Sequence, residues 1–342
     1  MSLQGASNGL ARKSWLITGG AGFIGSHLAD RLLADGHEVT VLDDLSTGTL
    51  SNLCGARVSD RFSFVEGSVM DEALVNQLVR RTDVVLHLAA AVGVEVVMGE
   101  PLKSFLTNTR GTEVVLAAAH RSGRQVVVAS TSEIYGKNDG GALGEASDLV
   151  LGPPSVTRWG YATSKMVDEF LAFQYHRELG LPVVVTRFFN TVGPRQSPLY
   201  GMVIPRMVHQ ALTGQPITVY GDGNQTRCFC HVSDTVEAVL RLVDCEAALG
   251  EAFNVGSSIE VSMLELADAI RERSGSASEV VLVPYEVAFP QGGFEDMRRR
   301  VPDTVKIQRL VGWAPRRNLD VILTETITAT RTELRSLGFG PE

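Results

Sequence analysis

From Ser14 onward the apolar and polar positions alternate between two rhythms. Short, nearly continuous apolar runs occur at Trp15-Leu16-Ile17-Thr18, Glu38-Val39-Thr40-Val41-Leu42, Phe62-Ser63-Phe64-Val65, Val84-Val85-Leu86-His87, Val126-Val127-Val128-Ala129 and Val183-Val184-Val185-Thr186. Runs this short and this rich in Val read as strands buried on both faces. Between them, stretches with helical spacing at about 23–35, 72–80, 103–122 and 163–179 read as covering helices. Strands alternating with helices build a parallel sheet, so the expected class is α/β: a doubly wound parallel sheet of the Rossmann type, over 14–190.

After Arg187 the rhythm breaks into segments punctuated by Gly193-Pro194, Tyr220-Gly221-Asp222-Gly223 and Gly312-Trp313-Ala314-Pro315. This part, 191–335, is expected to form mainly a smaller α/β C-terminal substrate lobe. Ala252-Phe253-Asn254-Val255 still has the character of a buried strand and is expected to return to the large sheet. Residues 1–13 are small and polar without periodicity, and read as a flexible tail.

Composition narrows the function. A chain of 342 residues with 44% hydrophobic and 20% charged residues suits two lobes sharing a cleft. A net charge of -8 argues against a nucleic-acid partner, because neutralising phosphates needs a basic face. No run of 18 apolar residues is present, so no membrane partner is expected and the location expected is cytoplasmic. Cys54, Cys228, Cys230 and Cys245 lack the spacing of a zinc site or a disulfide framework. Cys228, Cys230 and His231 come close together, but a single strand would put neighbours on opposite faces, so no metal is expected. His27, His37, His87 and His176 read as structural.

Chemistry begins at Thr18-Gly19-Gly20-Ala21-Gly22-Phe23-Ile24-Gly25, which follows a strand and opens a helix. Glycines there let the backbone turn tightly and approach a pyrophosphate, while the helix N-terminus offers N–H groups to the anion. Asp43-Asp44 stands at the end of the next strand, where a carboxylate accepts hydrogen bonds from an adenosine ribose and repels a 2′-phosphate. The cofactor expected is therefore NAD rather than NADP. Downstream, Tyr161-Ala162-Thr163-Ser164-Lys165 puts a phenol and an ammonium four residues apart on one helix face, so the cation lowers the phenol's pKa and Tyr161 serves as a base.

With Ser130-Thr131-Ser132-Glu133-Ile134-Tyr135-Gly136, Phe189-Asn190-Thr191-Val192-Gly193-Pro194-Arg195 and Gln225-Thr226-Arg227 added, the chain from about 14 to 335 resembles the extended short-chain dehydrogenases/reductases. These epimerise, dehydrate or decarboxylate nucleotide sugars. The resemblance implies Thr131, Tyr161 and Lys165 as the hydride-transfer triad. It implies Gly19, Gly22, Phe23, Ile24, Asp43, Ser68, Val69 and Leu88, together with Tyr161 and Lys165, as NAD contacts, although Ser68 stands where an Asp is common. Ser132, Asn190, Arg227 and Arg300 are implied for the substrate, a UDP-sugar, and a homodimer through a seam of the helices at 103–122 and 163–179. Met166, Phe170 and Phe173 then belong to the core or to that seam.

Glu133, two residues beyond Thr131, is a carboxylate placed for chemistry at C5 of the sugar. Thr-Ser-Glu is similar to UDP-glucuronate decarboxylases and to GDP-mannose 4,6-dehydratases. Arg299-Arg300-Val301-Pro302-Asp303, Lys306 and Gly312-Trp313-Ala314-Pro315 are closest to the decarboxylase pattern, whereas His87 to Val94 lacks that group's Ser/Pro-rich segment. Decarboxylation of UDP-glucuronate to UDP-xylose or its 4-keto form is therefore expected. A 4-epimerase, a 4,6-dehydratase and, more remotely, a non-catalytic NAD sensor stay open as alternatives.

Overall fold

The computed structural model describes residues 12–138, 140–200, 202–290, 295 and 297–338. In chain order the first strands are β1 (Ser14–Thr18), β2 (Glu38–Asp43), β3 (Phe62–Glu66), β4 (Val84–His87), β5 (Gln125–Thr131), β6 (Ala142–Leu143), β7 (Val183–Phe188) and β8 (Thr191–Val192). They are followed by β9 (Ile217–Tyr220), β10 (Thr226–Cys228), β11 (Cys230–His231), β12 (Ala252–Val255), β13 (Glu260–Ser262), β14 (Val280–Val283) and β15 (Arg299–Pro302). The helices are α1 (Phe23–Ala34), α2 (Glu72–Val79), α3 (Val94–Gly99), α4 (Pro101–Ser122), α5 (Trp159–Leu179), α6 (Val203–Leu212), α7 (Val232–Val243), α8 (Met263–Ser274), α9 (Tyr285–Ala288), α10 (Val305–Val311) and α11 (Leu319–Ser336).

Seven parallel strands form the large sheet in the order β12-β7-β5-β4-β1-β2-β3. Alternate residues of each strand serve opposite faces: Trp15 and Ile17 pack with α1 and α7, while Leu16 packs with α2, α4 and α5. That double burial is why the strands read as continuous apolar runs. The order reverses at β1, so the C-terminal ends of β1 and β4 mark the switch point at which doubly wound sheets hold ligands. The strand at Ala252–Val255 joins the outer edge beside β7.

A second core gathers α6, α8, α11 and β9. Beside it a four-stranded sheet runs β13-β10-β15-β6, so the short β6, from the first half of the chain, completes the sheet that carries Arg227 and Arg300. The segment Arg227 to His231 departs from the single strand expected. It divides at Phe229 between β10 and β11, which belong to different sheets, and both Cys228 and Cys230 are fully buried. Among the described residues no group of three His, Cys, Asp or Glu side chains could hold a metal ion.

The expected tail lies outside the described residues as far as residue 11. Lys13, also expected there, is fastened instead: its carbonyl accepts from the Glu38 N–H at 3.0 Å and its ammonium pairs with Asp244 at 3.0 Å. Under the active face, Arg187 on β7 forks onto Glu169 of α5, with Nη2 to Oε2 at 2.7 Å, and donates to the Tyr135 hydroxyl at 2.9 Å. This buried, fully paired network locks α5 to the sheet.

Candidate active site

The turn after β1 closes only with glycine. Gly19 has φ +70°, and a Cβ there would stand 2.7 Å from the Ala89 nitrogen; one on Gly25 would stand 2.5 Å from the Gly19 oxygen. Gly22 sits at the N-cap of α1, and Phe23 and Ile24 begin the helix with no acidic side chain in its first turn. Asp43, buried at the end of β2, accepts from the N–H groups of Ala21 and Leu45, each at 2.9 Å. Burial raises its carboxyl above the usual range, and those two N–H groups oppose the shift. The acidic pair splits here, for Asp44 turns away to cap the Ser46 N–H. Ser68 and Val69 follow β3, and Leu88 follows β4, its N–H donating to the Thr18 carbonyl at 3.1 Å. All of these positions lie at the C-terminal edge of the large sheet, at its switch point.

Across that edge, β5 ends on Thr131, whose hydroxyl accepts from the Glu133 N–H at 3.2 Å and starts a short 3₁₀ turn over Ser132–Tyr135. Ser132 is buried within it. Helix α5 begins at Trp159, four residues earlier than the 163 read from the sequence, which sets Tyr161 and Lys165 inside the helix. The expected lowering of the Tyr161 phenol by the Lys165 cation is not what the structure gives: burial pushes the phenol up, and the negative charges of Glu133 and then Asp168 push it further, while a hydrogen bond with Thr131 acts the other way. The Lys165 ammonium is buried and donates to Asp168 Oδ2 at 2.8 Å.

Glu133 is held by two guanidinium groups. Arg300 of β15 donates to Oε1, and Arg158 reaches Oε2 at 2.7 Å. Burial alone would raise this carboxyl, but Arg300 and then Arg158 outweigh it and hold the group down at about 2. Arg300 also donates to Asn190 Oδ1 at 3.3 Å, while Asn190 Nδ2 donates to the Cys228 carbonyl at 2.9 Å. Asn190 has φ +33°, a backbone position that side chains seldom take and that bends the chain from β7 toward the second core. Arg227 lies in register with Arg300 on the adjoining strand. The structure thus gathers Thr131, Glu133, Tyr161, Lys165, Asn190 and Arg300 at one place, with Arg227 beside them.

Two charged neighbours of the site carry no sequence signal singled out above: Arg158 lies just before the expected helix start, and Asp168 stands among the apolar positions Met166, Phe170 and Phe173, although its spacing of three from Lys165 is readable. His87 is structural, as expected. It bridges Thr18 at 2.8 Å and Thr112 at 3.1 Å, and burial, then the Lys165 charge, drives it down to about 3, so the ring is neutral.

Comparison with known proteins matches residues 15–256 to the family described as NAD dependent epimerase/dehydratase. The chain is 41% identical over 317 residues to the UDP-N-acetyl-alpha-D-glucosaminuronate decarboxylase of Bacillus cytotoxicus, covering 92% of this chain and 97% of the relative. It is 36% identical to UDP-glucuronic acid decarboxylase 1 of Xenopus tropicalis, over 94% of this chain and 73% of that one. Among solved structures, the dTDP-glucose 4,6-dehydratase of Streptomyces venezuelae with NAD bound is similar, with TM-score 0.85 and 31% identity over 94% of this chain and 98% of that one. The UDP-glucose 4-epimerase of Thermotoga maritima, with UDP-glucose, is similar to the same degree, with TM-score 0.85 and 30% identity over 94% of this chain and 99% of that one.

Proposed function

Because this chain belongs to the NAD dependent epimerase/dehydratase family, we propose that it decarboxylates a UDP-linked hexuronate, oxidising C4, releasing C6 as CO₂ and reducing C4 again. The observation that carries this reading is Glu133 held ionised by Arg300 and Arg158 next to Tyr161: a charged group set beside the base for work at C5. Two relatives whose names specify decarboxylation of a UDP-uronate support it.

The residues present fit NAD. At Gly19 and Gly25 the backbone of the turn packs too closely for any side chain, and α1 presents its N-terminus, free of acidic side chains in its first turn, beside that bare turn. Gly19, Gly22, Phe23 and Ile24 would hold the pyrophosphate and Asp43 the adenosine ribose, with Ser68, Val69 and Leu88 along the adenine and ring edges. Tyr161 and Lys165 would hold the nicotinamide ribose. When bound, NAD supplies a reversible two-electron acceptor beside C4.

Tyr161, with Thr131 hydrogen-bonded to it, takes the proton of the C4 hydroxyl. Once C4 is a ketone the C6 carboxylate is β to it, so the C5–C6 bond breaks with its electron pair passing into the C4 enolate. Arg300 lies where a cation favours that charge, and Arg227 and Asn190 sit beside it to hold the nucleotide diphosphate or sugar. A carboxylate held at about 2 is a poor proton donor at neutral pH, so Glu133 works by charge and position at C5 rather than by giving up its own proton. After C5 takes a proton from solvent water, Tyr161 returns its proton to the C4 oxygen. In this scheme the segment 191–335 mainly closes over the sugar nucleotide.

The 41% relative favours a second substrate of the same class, the 2-N-acetyl uronate, besides UDP-glucuronate. No described helix is long and apolar enough to cross a membrane, and all four cysteines are free, which suits a reducing cytoplasm. We further propose a homodimer through α4 and α5, on which Leu102, Leu106 and Phe170 are exposed; a monomer mass in solution would contradict it. Mass spectrometry of products from UDP-glucuronate, its 2-N-acetyl counterpart and UDP-glucose tests the main reading. Loss of CO₂ from a uronate supports it, and turnover of UDP-glucose alone refutes it.

A further inference from the structure

We propose that Asp168 is a positioning residue that pairs with Lys165, one helical turn from Tyr161, and so sets the pH at which C4 oxidation begins. The proposal rests on the reading of Tyr161 as the proton acceptor. A spacing of three along a helix makes two side chains neighbours, and α5 puts Lys165 and Asp168 together at 2.8 Å with 3% and 0% exposure. A carboxylate is costly to bury, and burial is the main influence raising this one. It is nonetheless placed against Lys165, and its own charge is one of the two that raise the Tyr161 phenol.

Asp168 shares its influence on Tyr161 with one other charge. From the turn after β5, Glu133, although paired with Arg300 and Arg158, raises the phenol more than Asp168 does. From β5 itself come Thr131 and Ser130, both uncharged. Glu169, next to Asp168, is matched by Arg187 of β7. From β4 and α4, His87 is neutral and Thr112 hydrogen-bonds toward the Asp168 carboxylate, with Thr18 behind the imidazole. An ammonium has three donors, so with one spent on Asp168 two remain for ribose hydroxyls.

The acid limb of kcat/KM reports the base of the free enzyme, so it is the quantity to measure on the NAD-loaded protein. Asp168→Asn keeps the shape and removes the charge, and should move that limb to lower pH by about one unit. Asp168→Glu should restore it. A limb that stays in place or moves to higher pH in a folded Asp168→Asn protein overturns the proposal. If that variant does not fold, Thr112→Val, which removes the hydroxyl supporting the carboxylate's charge, should move the limb the same way by less, and no movement or the opposite movement overturns it. Tyr161→Phe separates the two layers. Retained turnover there would end the proton-acceptor reading itself, whereas an inactive Tyr161→Phe with an unmoved Asp168→Asn limb removes only the role of Asp168.

Discussion

Arg300 and Glu133, 167 positions apart in the chain, form the ion pair at the centre of the site: the guanidinium on β15 donates to the carboxylate in the turn after β5. Arg158, three residues before Tyr161, closes on the other carboxylate oxygen. One carboxylate thus ties the edge of the large sheet, the four-stranded sheet and the start of α5 to one another.

Glu133→Gln should still oxidise C4, because Thr131, Tyr161 and Lys165 are untouched and the amide is nearly isosteric. Under single-turnover conditions nicotinamide absorbance and a keto sugar should accumulate, with turnover reduced by about ten- to a hundredfold rather than abolished, since CO₂ leaves a β-keto acid with little acid or base help. Complete loss with accumulated keto sugar would point to a dehydratase, in which the carboxylate must remove the C5 proton. Parental interconversion of 4-epimers would point to an epimerase.

The same ion pairs make stability depend on acid. The folded Glu133 carboxyl lies at about 2, below its ordinary 4.5, so its contribution is fully present above about pH 4.5 and is lost as pH falls toward 2. On the order of 3 kcal/mol is at stake. Urea unfolding should therefore show the stability gap between the parent and Glu133→Gln shrinking steadily from about pH 5 to 2. A gap independent of pH across that window would contradict the assignment.

Asp43→Asn should weaken NAD binding by about tenfold and narrow the preference over NADP, because the amide neither attracts the ribose hydroxyls as strongly nor repels a 2′-phosphate. Fluorescence titration with both cofactors checks this. Equal binding of the two by the parent protein would remove Asp43 from the argument.

Six of the seven strands were legible because they are buried on both faces, as Trp15, Leu16 and Ile17 illustrate, and double burial leaves a nearly continuous apolar signature, whereas the edge strand β3 is only partly buried. The glycine turn and the Tyr161/Lys165 pair were legible because their chemistry depends on local spacing. What escaped depends on contacts between distant residues. Ala142–Leu143 is too short to announce a strand, and it is one only because β15 lies alongside. The division of Arg227 to His231 between two sheets follows from the chain's turn at Phe229, which alternation does not encode. Arg158 gains its meaning from the carboxylate it shares with Arg300, a contact that local spacing does not encode.

The central claim is that the C5–C6 bond breaks and C5 then takes a proton, and running the reaction on UDP-glucuronate in deuterium oxide tests it most directly. The product should have lost CO₂ and carry one solvent deuterium at C5, as read by mass spectrometry and proton NMR. A product that keeps its carboxylate and differs only at C4, with no deuterium on carbon, would contradict the account.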